Sequence, residues 1–356
     1  MNFASDNAGP ALPQVMQAMI AANEGFMPSY GEDALMTRVR DRLRELFEAP
    51  RASVYLVGTG TAANALGLAT LSQPWQTVFC TPLAHIQVDE CNAPEFFTGG
   101  AKLSLVGEAD KMTPEELQAA IAAWPAGDVH APQYGPLALT QATERGRLYT
   151  CAEIAALCDV ARAHGMPAHL DGARFANAIA ALGCTPAEMS WRAGIDAVSF
   201  GGTKNGCLGV EAVIFFSPEN AWEFELRRKR SAHLFSKHRF LSAQMLGFLE
   251  GETWLDAART ANARAAYLEE GLRGVTEAEF AYERQVNMLF VRLPRATHQR
   301  LRAAGARYAL YEGPLDEGPG GTPLLARFVC DWSITDAEIA RFLEVAHDRD
   351  GVQRRA

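Results

Sequence analysis

The chain has 356 residues, of which 48% are hydrophobic, so it is long enough for two domains with packed cores. Its net charge of −9 argues against nucleic acid or an anionic membrane as a partner. The sequence contains no long apolar run, and the amino terminus lacks the features of a secretion signal. The seven cysteines lack CxxC spacing and are interpreted as buried apolar residues in a reducing compartment, and none of the eight histidines has metal-binding spacing. We therefore expect a cytoplasmic protein without a protein metal site.

The first sixty residues predict an arm, a helix, a strand and a glycine turn. Residues 3–10 are polar and end in Gly-Pro, which is typical of an irregular arm before a helix. Apolar residues recur at helical spacing from Asp33 until Pro50, and Ser53–Val57 has the composition of a strand. The next four residues, Gly-Thr-Gly-Thr at 58–61, open an alanine- and leucine-rich helix. A helix amino terminus of this kind favours a phosphate, because its backbone N–H groups are free and its dipole is positive.

The same turn matches the short fingerprint GxGxxA, so a dinucleotide-binding domain is an alternative. That alternative requires an acidic residue about 20 positions on, at the end of the next strand. The next predicted strand, Thr77–Cys80, leads into residues 81–85, which include no acid. A Walker nucleotide loop, which requires Ser or Thr after its lysine, is also excluded. The glycine-rich stretch farther along the chain that ends in Lys204 is followed by Asn.

Farther along, residues 137–140 predict a strand, Thr150 and Glu153 predict a helix that begins with a capping box, and residues 167–170 predict a buried strand. Strand, helix and strand in this order form a βαβ unit, which predicts a parallel sheet. Asp171 follows the last of these strands. Ligands bind at this carboxyl end of the strands in open α/β sheets.

Lys204 lies in a turn between two predicted strands, Ile195–Phe200 and Val210–Phe216. The glycines around it are interpreted as leaving room for a ligand against the backbone: Gly201, Gly202, Gly206 and Gly209. Pyridoxal phosphate needs a lysine amine for a Schiff base and a carboxylate at its ring nitrogen, so Lys204 and Asp171 together favour this cofactor. On the turn alone, an exposed lysine in a surface hairpin is the alternative.

A second domain is predicted from about Trp254 on. It contains a strand at Asn287–Val291 and another at Leu324–Cys330, followed by a helix capped at Thr335. Arg327 lies within the second of these apolar strands. A guanidinium there needs an anionic partner to offset its desolvation.

Two motifs, His-Leu-Asp171-Gly-Ala-Arg174 and Ser-Phe-Gly-Gly-Thr-Lys204, resemble the signature stretches of the threonine aldolase and β-eliminating lyase family of fold type I pyridoxal-phosphate enzymes. The resemblance covers nearly the whole chain. It implies an α/β, aspartate aminotransferase-like large domain with a mostly parallel sheet, residues 1–250 including the arm. It also implies a smaller carboxyl-terminal α+β domain, residues 251–356.

The resemblance further implies residue roles. The catalytic residues would be Lys204, which holds the cofactor, Asp171, which contacts its ring nitrogen, and His85, which stacks on its ring from a segment similar to the family's His-Ile-x-x-x-Glu. The remaining cofactor-binding residues would be Thr59, Gly60 and Thr61 at the phosphate, with Gln141, Arg174 and, from a neighbouring subunit, Lys237. The substrate-binding residues would be Ser5, Tyr30, Arg174 and Arg327.

The activity implied by the resemblance is the cleavage of L-threonine, L-allo-threonine or related β-hydroxy-α-amino acids such as phenylserine to glycine and an aldehyde. The resemblance implies a homotetramer, a dimer of dimers with active sites shared between subunits. Either His85 or a phosphate-bound water could take the proton of the β-hydroxyl group. Two alternatives stay open: a β-eliminating amino acid lyase of the same fold, and a non-catalytic protein that binds an amino acid or the cofactor.

Overall fold

The computed structural model describes residues 1–275 and 277–348 and divides the chain into two compact units. One unit is Ala11–Trp254, and the other combines Met1–Pro10 with the chain from Leu255 on. The sequence-based division at residues 250 and 251 placed the arm with the large domain. In the structure, the arm packs within the carboxyl-terminal unit because Phe3 is part of that unit's core.

The unit Ala11–Trp254 contains a seven-stranded sheet in the order β1-β7-β6-β5-β4-β2-β3. Strand β7 is antiparallel to both of its neighbours, and the other six strands run in one direction. This arrangement confirms the predicted α/β class with a mostly parallel sheet. The strands are β1 (Ser53–Val57), β2 (Gln76–Cys80), β3 (Lys102–Leu105), β4 (Gln133–Thr140), β5 (Ala168–Gly172), β6 (Ala197–Gly201) and β7 (Glu211–Phe215).

Ten α-helices lie in the described part of the same unit, and local signals in the sequence explain where several begin. The Asp33 carboxylate accepts a hydrogen bond from the Met36 N–H at 3.0 Å, and Thr150 and Glu153 form the predicted capping box. The helices are α1 (Pro13–Ala21), α2 (Ala34–Leu46), α3 (Gly60–Leu71), α4 (His85–Val88), α5 (Ala93–Thr98), α6 (Pro114–Ala122), α7 (Cys151–Ala163), α8 (Phe175–Leu182), α9 (Ala221–Arg230) and α10 (Arg239–Phe248).

Helix α3 packs closely against the sheet. Residues 62–70 are all buried, and a Cβ placed on Gly67 would lie 3.1 Å from Nε2 of His169 on β5. A side chain at position 67 would therefore require the His169 ring to give way by a few tenths of an ångström. The close approach brings the amino-terminal half of α3, including Asn64, near the end of β5.

The carboxyl-terminal unit has an antiparallel sheet in the order β10-β11-β9-β8. Its described elements are α11 (Thr253–Arg273), β8 (Glu279–Phe280), β9 (Met288–Pro294), α12 (Arg295–Ala303), β10 (Ala309–Leu310), β11 (Pro323–Val329) and α13 (Asp336–His347). The predicted cap at Thr335 is present, since its side chain accepts from the Glu338 N–H. The fully buried ring of Phe3 lies edge-on to Phe328 and Phe342, with ring centroids 6.2 and 4.9 Å away.

The cysteine interpretation is wrong in part. Cys91 is exposed and lies with Asn92 in a short left-handed segment before α5, and Cys151 and Cys184 are only partly buried. Cys80, Cys158, Cys207 and Cys330 are buried as expected. Among the helices in the described ranges, none is long and apolar enough to cross a membrane.

We expect Phe3→Ala to destabilise the carboxyl-terminal unit by about 3–5 kcal/mol, the usual result of deleting a buried phenylalanine ring. Phe26→Ala is a matched control, because the same atoms are removed from a fully exposed position and little change is expected. Guanidinium unfolding followed by circular dichroism measures both variants. Parent-like stability of Phe3→Ala would show that the arm does not contribute to this core.

Candidate active site

The sheet topology brings residues that are far apart in sequence to one edge. Six strands share a direction, so the segments that follow β1, β2, β4, β5 and β6 leave the sheet on the same side. These segments, together with the last residues of β5, contain most of the predicted site residues of the unit Ala11–Trp254: Thr59, Gly60, Thr61, His85, Gln141, Asp171, Arg174 and Lys204. Glu211 begins the reversed strand β7 and lies at this edge too, opposite Gly201 and Val57 in the ladder.

Asp171 is a buried carboxylate, with only 6% of its surface exposed. Its Oδ1 accepts from the Ala173 N–H at 3.0 Å, and its Oδ2 accepts from Asn64 Nδ2 at 2.9 Å. Within residues 1–275 and 277–348, no lysine or arginine forms an ion pair with it. A buried anion held by neutral donors, without a cation of its own, suits a ligand that brings a positive charge.

The same Asn64 amide also reaches Glu90. Its Nδ2 donates to Glu90 Oε1 at 3.0 Å, so the two N–H bonds of this amide serve two carboxylates. Glu90 Oε1 lies 2.7 Å from Nδ1 of His85, which completes a chain of contacts from Asp171 to His85. Two atoms of this cluster, Asn64 Oδ1 and Glu90 Oε2, are buried and have no hydrogen-bond partner among the described residues.

The charges around the His85 ring favour its protonated form. The hydrogen bond to Glu90 raises the pKa of His85, burial opposes this, the carboxylates of Asp171 and Glu144 add to the rise, and the Lys204 ammonium reduces it. Burial raises the pKa of Glu90, while the hydrogen bonds from His85 and Asn64 work in the opposite direction. The two groups therefore favour holding a proton between them.

Lys204 lies in a single 3-10 turn, Thr203–Asn205, directly after β6. A buried carboxylate fixes this turn, since Glu211 Oε2 accepts from the Gly202 N–H at 2.8 Å, and the Thr203 hydroxyl accepts from the Val210 N–H at 3.2 Å. The Lys204 amine itself has no hydrogen bond or ion pair with the described residues and is only partly buried. The turn is thus rigid at its base, while its amine is available.

The glycine interpretation of this turn is wrong in part. A Cβ on Gly201 would lie 2.7 Å from the Ala173 carbonyl oxygen, and one on Gly202 would lie 2.7 Å from the Val210 carbonyl oxygen. The protein's own backbone therefore fills these spaces. Gly206 is needed for its φ of 107°, which an L side chain rarely adopts. At Gly209 the nearest atom, the Gly58 carbonyl oxygen, is 3.4 Å away.

The amino terminus of α3 has the features of an anion site. Thr59 caps the helix by accepting from the Ala62 N–H at 3.1 Å. The N–H groups of Gly60 and Thr61 have no acceptor among the described residues, and a Cβ on Gly58 or Gly60 would meet no atom within 4 Å. Two free donors beside open space at a helix terminus fit a phosphate.

Gln141 has a structural role that the sequence did not indicate. The side chain is fully buried, its Nε2 donates to the Tyr149 carbonyl oxygen at 2.7 Å, and its Oε1 accepts from the Tyr149 N–H at 3.0 Å. The amide thus acts like a strand partner for the loop after β4. Its predicted contact with the cofactor stays a prediction.

The other predicted residues of the large unit differ in exposure. Arg174 is buried at the start of α8, directly after β5. Tyr30 is in a left-handed conformation with φ 61°, and the Lys229 ammonium lies 5.0 Å from the centre of its ring. Lys237 is exposed, just before α10. Their predicted roles stay predictions.

Ser5 and Arg327 belong to the carboxyl-terminal unit. The Ser5 hydroxyl accepts from the Asn7 N–H at 3.1 Å. Arg327 donates from Nη2 to the Ala4 carbonyl oxygen at 3.3 Å, which ties it to the arm. Its Nε is buried and has no partner among the described residues, so the guanidinium retains donor capacity for an anion.

Three residues of this edge had no assigned role in the sequence analysis: Asn64, Glu90 and Glu211. Asn64 and Glu211 share a signal, since each is a single amide or charge within an apolar run. Such a residue is buried only where it has a polar partner. In the described ranges, no group of three or more histidine, cysteine or acidic side chains is arranged to hold a metal ion.

Comparison with known proteins identifies the class of this site. Residues 2–294 match the β-eliminating lyase family, and the chain belongs to that family of lyases. The chain is 41% identical over 347 residues to the low specificity L-threonine aldolase of Pseudomonas aeruginosa. The aligned region covers 97% of this chain and 96% of that protein. The predicted family is thereby confirmed.

Solved structures agree on the fold. A threonine aldolase of Leishmania major superposes with a TM-score of 0.89 at 24% identity, covering 97% of this chain and 98% of that one. A serine palmitoyltransferase of Sphingomonas wittichii superposes with a TM-score of 0.72 at 16% identity, covering 99% of this chain and 88% of that one. These similarities confirm the predicted fold type I architecture.

The buried Glu211 generates a prediction about pH and stability. Burial raises the pKa of Glu211 to about 6, although hydrogen bonds from Thr203 and Gly202 and the Lys204 charge oppose the rise. The folded state therefore binds a proton more tightly than the unfolded state, and stability falls as pH rises through this window. Relative to Glu211→Gln, the parent should lose about 1 kcal/mol of unfolding free energy between pH 5 and pH 7.5.

Urea unfolding of parent and Glu211→Gln at the two pH values measures this difference. Glu211→Leu serves as a second variant, because it leaves the buried Gly202 N–H without an acceptor and should cost about 1–3 kcal/mol at either pH. If the unfolding free energies of the parent and Glu211→Gln depended on pH in the same way, the raised pKa of Glu211 would be contradicted.

Proposed function

We propose that the chain is a pyridoxal-phosphate-dependent aldolase that cleaves L-threonine, L-allo-threonine or related β-hydroxy-α-amino acids, including phenylserine, to glycine and an aldehyde. The observation that supports this most directly is that Lys204 and Asp171 both lie at the same edge of the sheet. The amine is available, and the carboxylate is buried without a cation partner among the described residues. The 41% identity to a low specificity L-threonine aldolase supports the substrate class.

The residues at this edge fit the cofactor on structural grounds. Lys204 would hold it covalently through its amine, Asp171 would face its ring nitrogen, and the free N–H groups of Gly60 and Thr61 would bind its phosphate. Bound there, pyridoxal phosphate supplies an electron sink for the negative charge that develops at Cα when the Cα–Cβ bond breaks. Asp171 keeps a proton on the ring nitrogen, because a buried carboxylate stabilises the positive charge opposite it.

The arginines would orient the substrate. Arg327 retains a buried, unpartnered Nε, and a guanidinium matches a carboxylate with two parallel hydrogen bonds. Arg174, Ser5 and Tyr30 are proposed as further contacts to the substrate. Fixing the carboxylate determines which bond to Cα is aligned for cleavage, so these residues act through orientation.

The β-eliminating lyase activity is the second candidate, because the matching family bears that description. The two reactions of L-threonine differ in products. Aldol cleavage yields glycine and acetaldehyde, whereas elimination of water yields 2-oxobutanoate and ammonia. Both would use the same cofactor residues, so only the products distinguish them.

The deciding experiment supplies the purified protein with pyridoxal phosphate and offers L-threonine, L-allo-threonine and phenylserine side by side. We expect glycine and the matching aldehyde in equal amounts from each accepted substrate. Formation of 2-oxobutanoate and ammonia would favour the eliminating lyase. Absence of turnover with bound amino acid would favour the non-catalytic alternative.

A second measurement tests the lysine independently of activity. Borohydride reduction of the loaded protein followed by peptide mass analysis should find the pyridoxyl group on Lys204. A lysine amine has a pKa of about 10.4 when unperturbed, so attachment near neutral pH depends on the site. Lys237→Ala is a useful control, because the label should remain on Lys204; a label on any other lysine would contradict the assignment.

The cellular setting and assembly belong to the same proposal. We expect a cytoplasmic enzyme, because the composition favours a reducing compartment. We also expect a homotetramer in which Lys237 serves the phosphate of a neighbouring subunit. The exposure of Lys237 is compatible with that role.

A further inference from the structure

Glu90 is a buried acidic residue with no role in the proposed reaction. Its side chain is completely inaccessible, yet it forms no ion pair with a lysine or arginine among the described residues. Its Oε1 instead lies 2.7 Å from His85 Nδ1 and 3.0 Å from Asn64 Nδ2. A carboxylate buried in this way is costly unless its contacts matter for the site.

We propose that Glu90 is the positioning residue of His85: it accepts the Nδ1–H, fixes the tautomer and orientation of the ring, and leaves Nε2 as the atom that gains or loses a proton. Neutral imidazole has one donor and one acceptor nitrogen, and the partner of one nitrogen decides the state of the other. Because Glu90 accepts the hydrogen bond from Nδ1–H, Nε2 is the acceptor nitrogen of the neutral ring. The inference rests on the proposed function only for the relevance of His85.

Asn64 determines the geometry of the Glu90 carboxylate. Both N–H bonds of its amide are occupied, one by Glu90 and one by Asp171. Glu90 Oε1 therefore receives a donor from each side and cannot turn away from His85 without losing the Asn64 contact. The amide also separates two carboxylates that would otherwise repel each other.

The charged groups around His85 predict how its protonation responds. Glu90 is the buried contact, whereas Asp89 Oδ2 lies 3.7 Å from Nε2 with 80% of its side chain exposed. Asp171, Glu144 and Lys204 act at longer range. A buried charge-assisted hydrogen bond outweighs an exposed ion pair, so Glu90 should dominate.

The experiment measures the protonation of His85 by its reaction with diethyl pyrocarbonate, which modifies only an unprotonated imidazole nitrogen. The full-length purified protein is treated briefly across pH 5–9, and the modification of the peptide containing His85 is quantified by mass spectrometry. In the parent, the pH at which the modification rate is half-maximal should lie above 6.5, the ordinary pKa of histidine. A parent midpoint at or below this value overturns the proposal, whatever the variants do.

Glu90→Gln is the informative variant, because its amide oxygen can still accept the Nδ1–H but has no charge. Its midpoint should fall by about one pH unit relative to the parent. Asp89→Asn is the matched control, since it removes a neighbouring charge at the exposed nitrogen and should shift the midpoint by less than about 0.3 units. An unchanged midpoint in Glu90→Gln, or an equal shift in Asp89→Asn, overturns the proposal.

The pH profile of kcat/KM gives a second readout on the loaded enzyme. We expect its acidic limb to move in the same direction and by a similar amount in Glu90→Gln, with KM changed less than kcat. A purely structural role would lower activity at every pH without moving the limb. The chemical modification requires no turnover, so its outcome stands even if the aldolase assay fails.

Discussion

One amide group, Nδ2 of Asn64, joins the separate parts of the candidate site. It donates to Asp171 at the end of β5 and to Glu90 after α4, and Glu90 in turn contacts His85. Three segments from different parts of the sequence are thereby linked through buried hydrogen bonds. The helix that carries Asn64 must approach the sheet closely for this, and Gly67 permits the approach. The hydrogen bonds at this edge of the sheet therefore depend on the close packing of α3.

The burial of acidic side chains gives this edge its electrostatic character. Glu90, Asp171 and Glu211 are all buried, and neutral donors satisfy most of their oxygens. Such an arrangement is expensive for the protein alone, because buried anions are stabilised best by opposite charges. A positively charged group bound next to these carboxylates would offset that cost. The edge is thus prepared for positive charge.

Local patterns predicted the fold well. Strand composition located β1, β5, β6 and β7 to within about two residues, and the predicted caps at Thr150 and Thr335 are present. The sequence did not indicate α5, because Cys91 and Asn92 start it from left-handed conformations that are unusual for residues other than glycine. The packing of the arm was also missed, since it depends on a contact between Phe3 and residues more than 300 positions away.

The site was predicted less completely than the fold. Motifs singled out Asp171 and Lys204, whose positions follow from strand ends. Asn64, Glu90 and Glu211 act through contacts between segments, and a sequence does not reveal which segments meet. The glycines of the lysine turn illustrate the same limit: a glycine indicates close approach, but only the structure shows that Ala173 and Val210, and not a ligand, make the approach at Gly201 and Gly202.

The ladder between β1 and β7 has a consequence for synthesis of the chain. Val57, at the end of the first strand, pairs with Glu211 at the start of the last, so β1 cannot join the sheet until β7 has left the ribosome. At about 5–20 residues per second, the first strand waits roughly 8–30 s without a partner. During that time an apolar segment stays unpaired, and the glycine turn that follows it is not yet in place. The β1 edge of the sheet is therefore completed only after most of the unit Ala11–Trp254 has been synthesised.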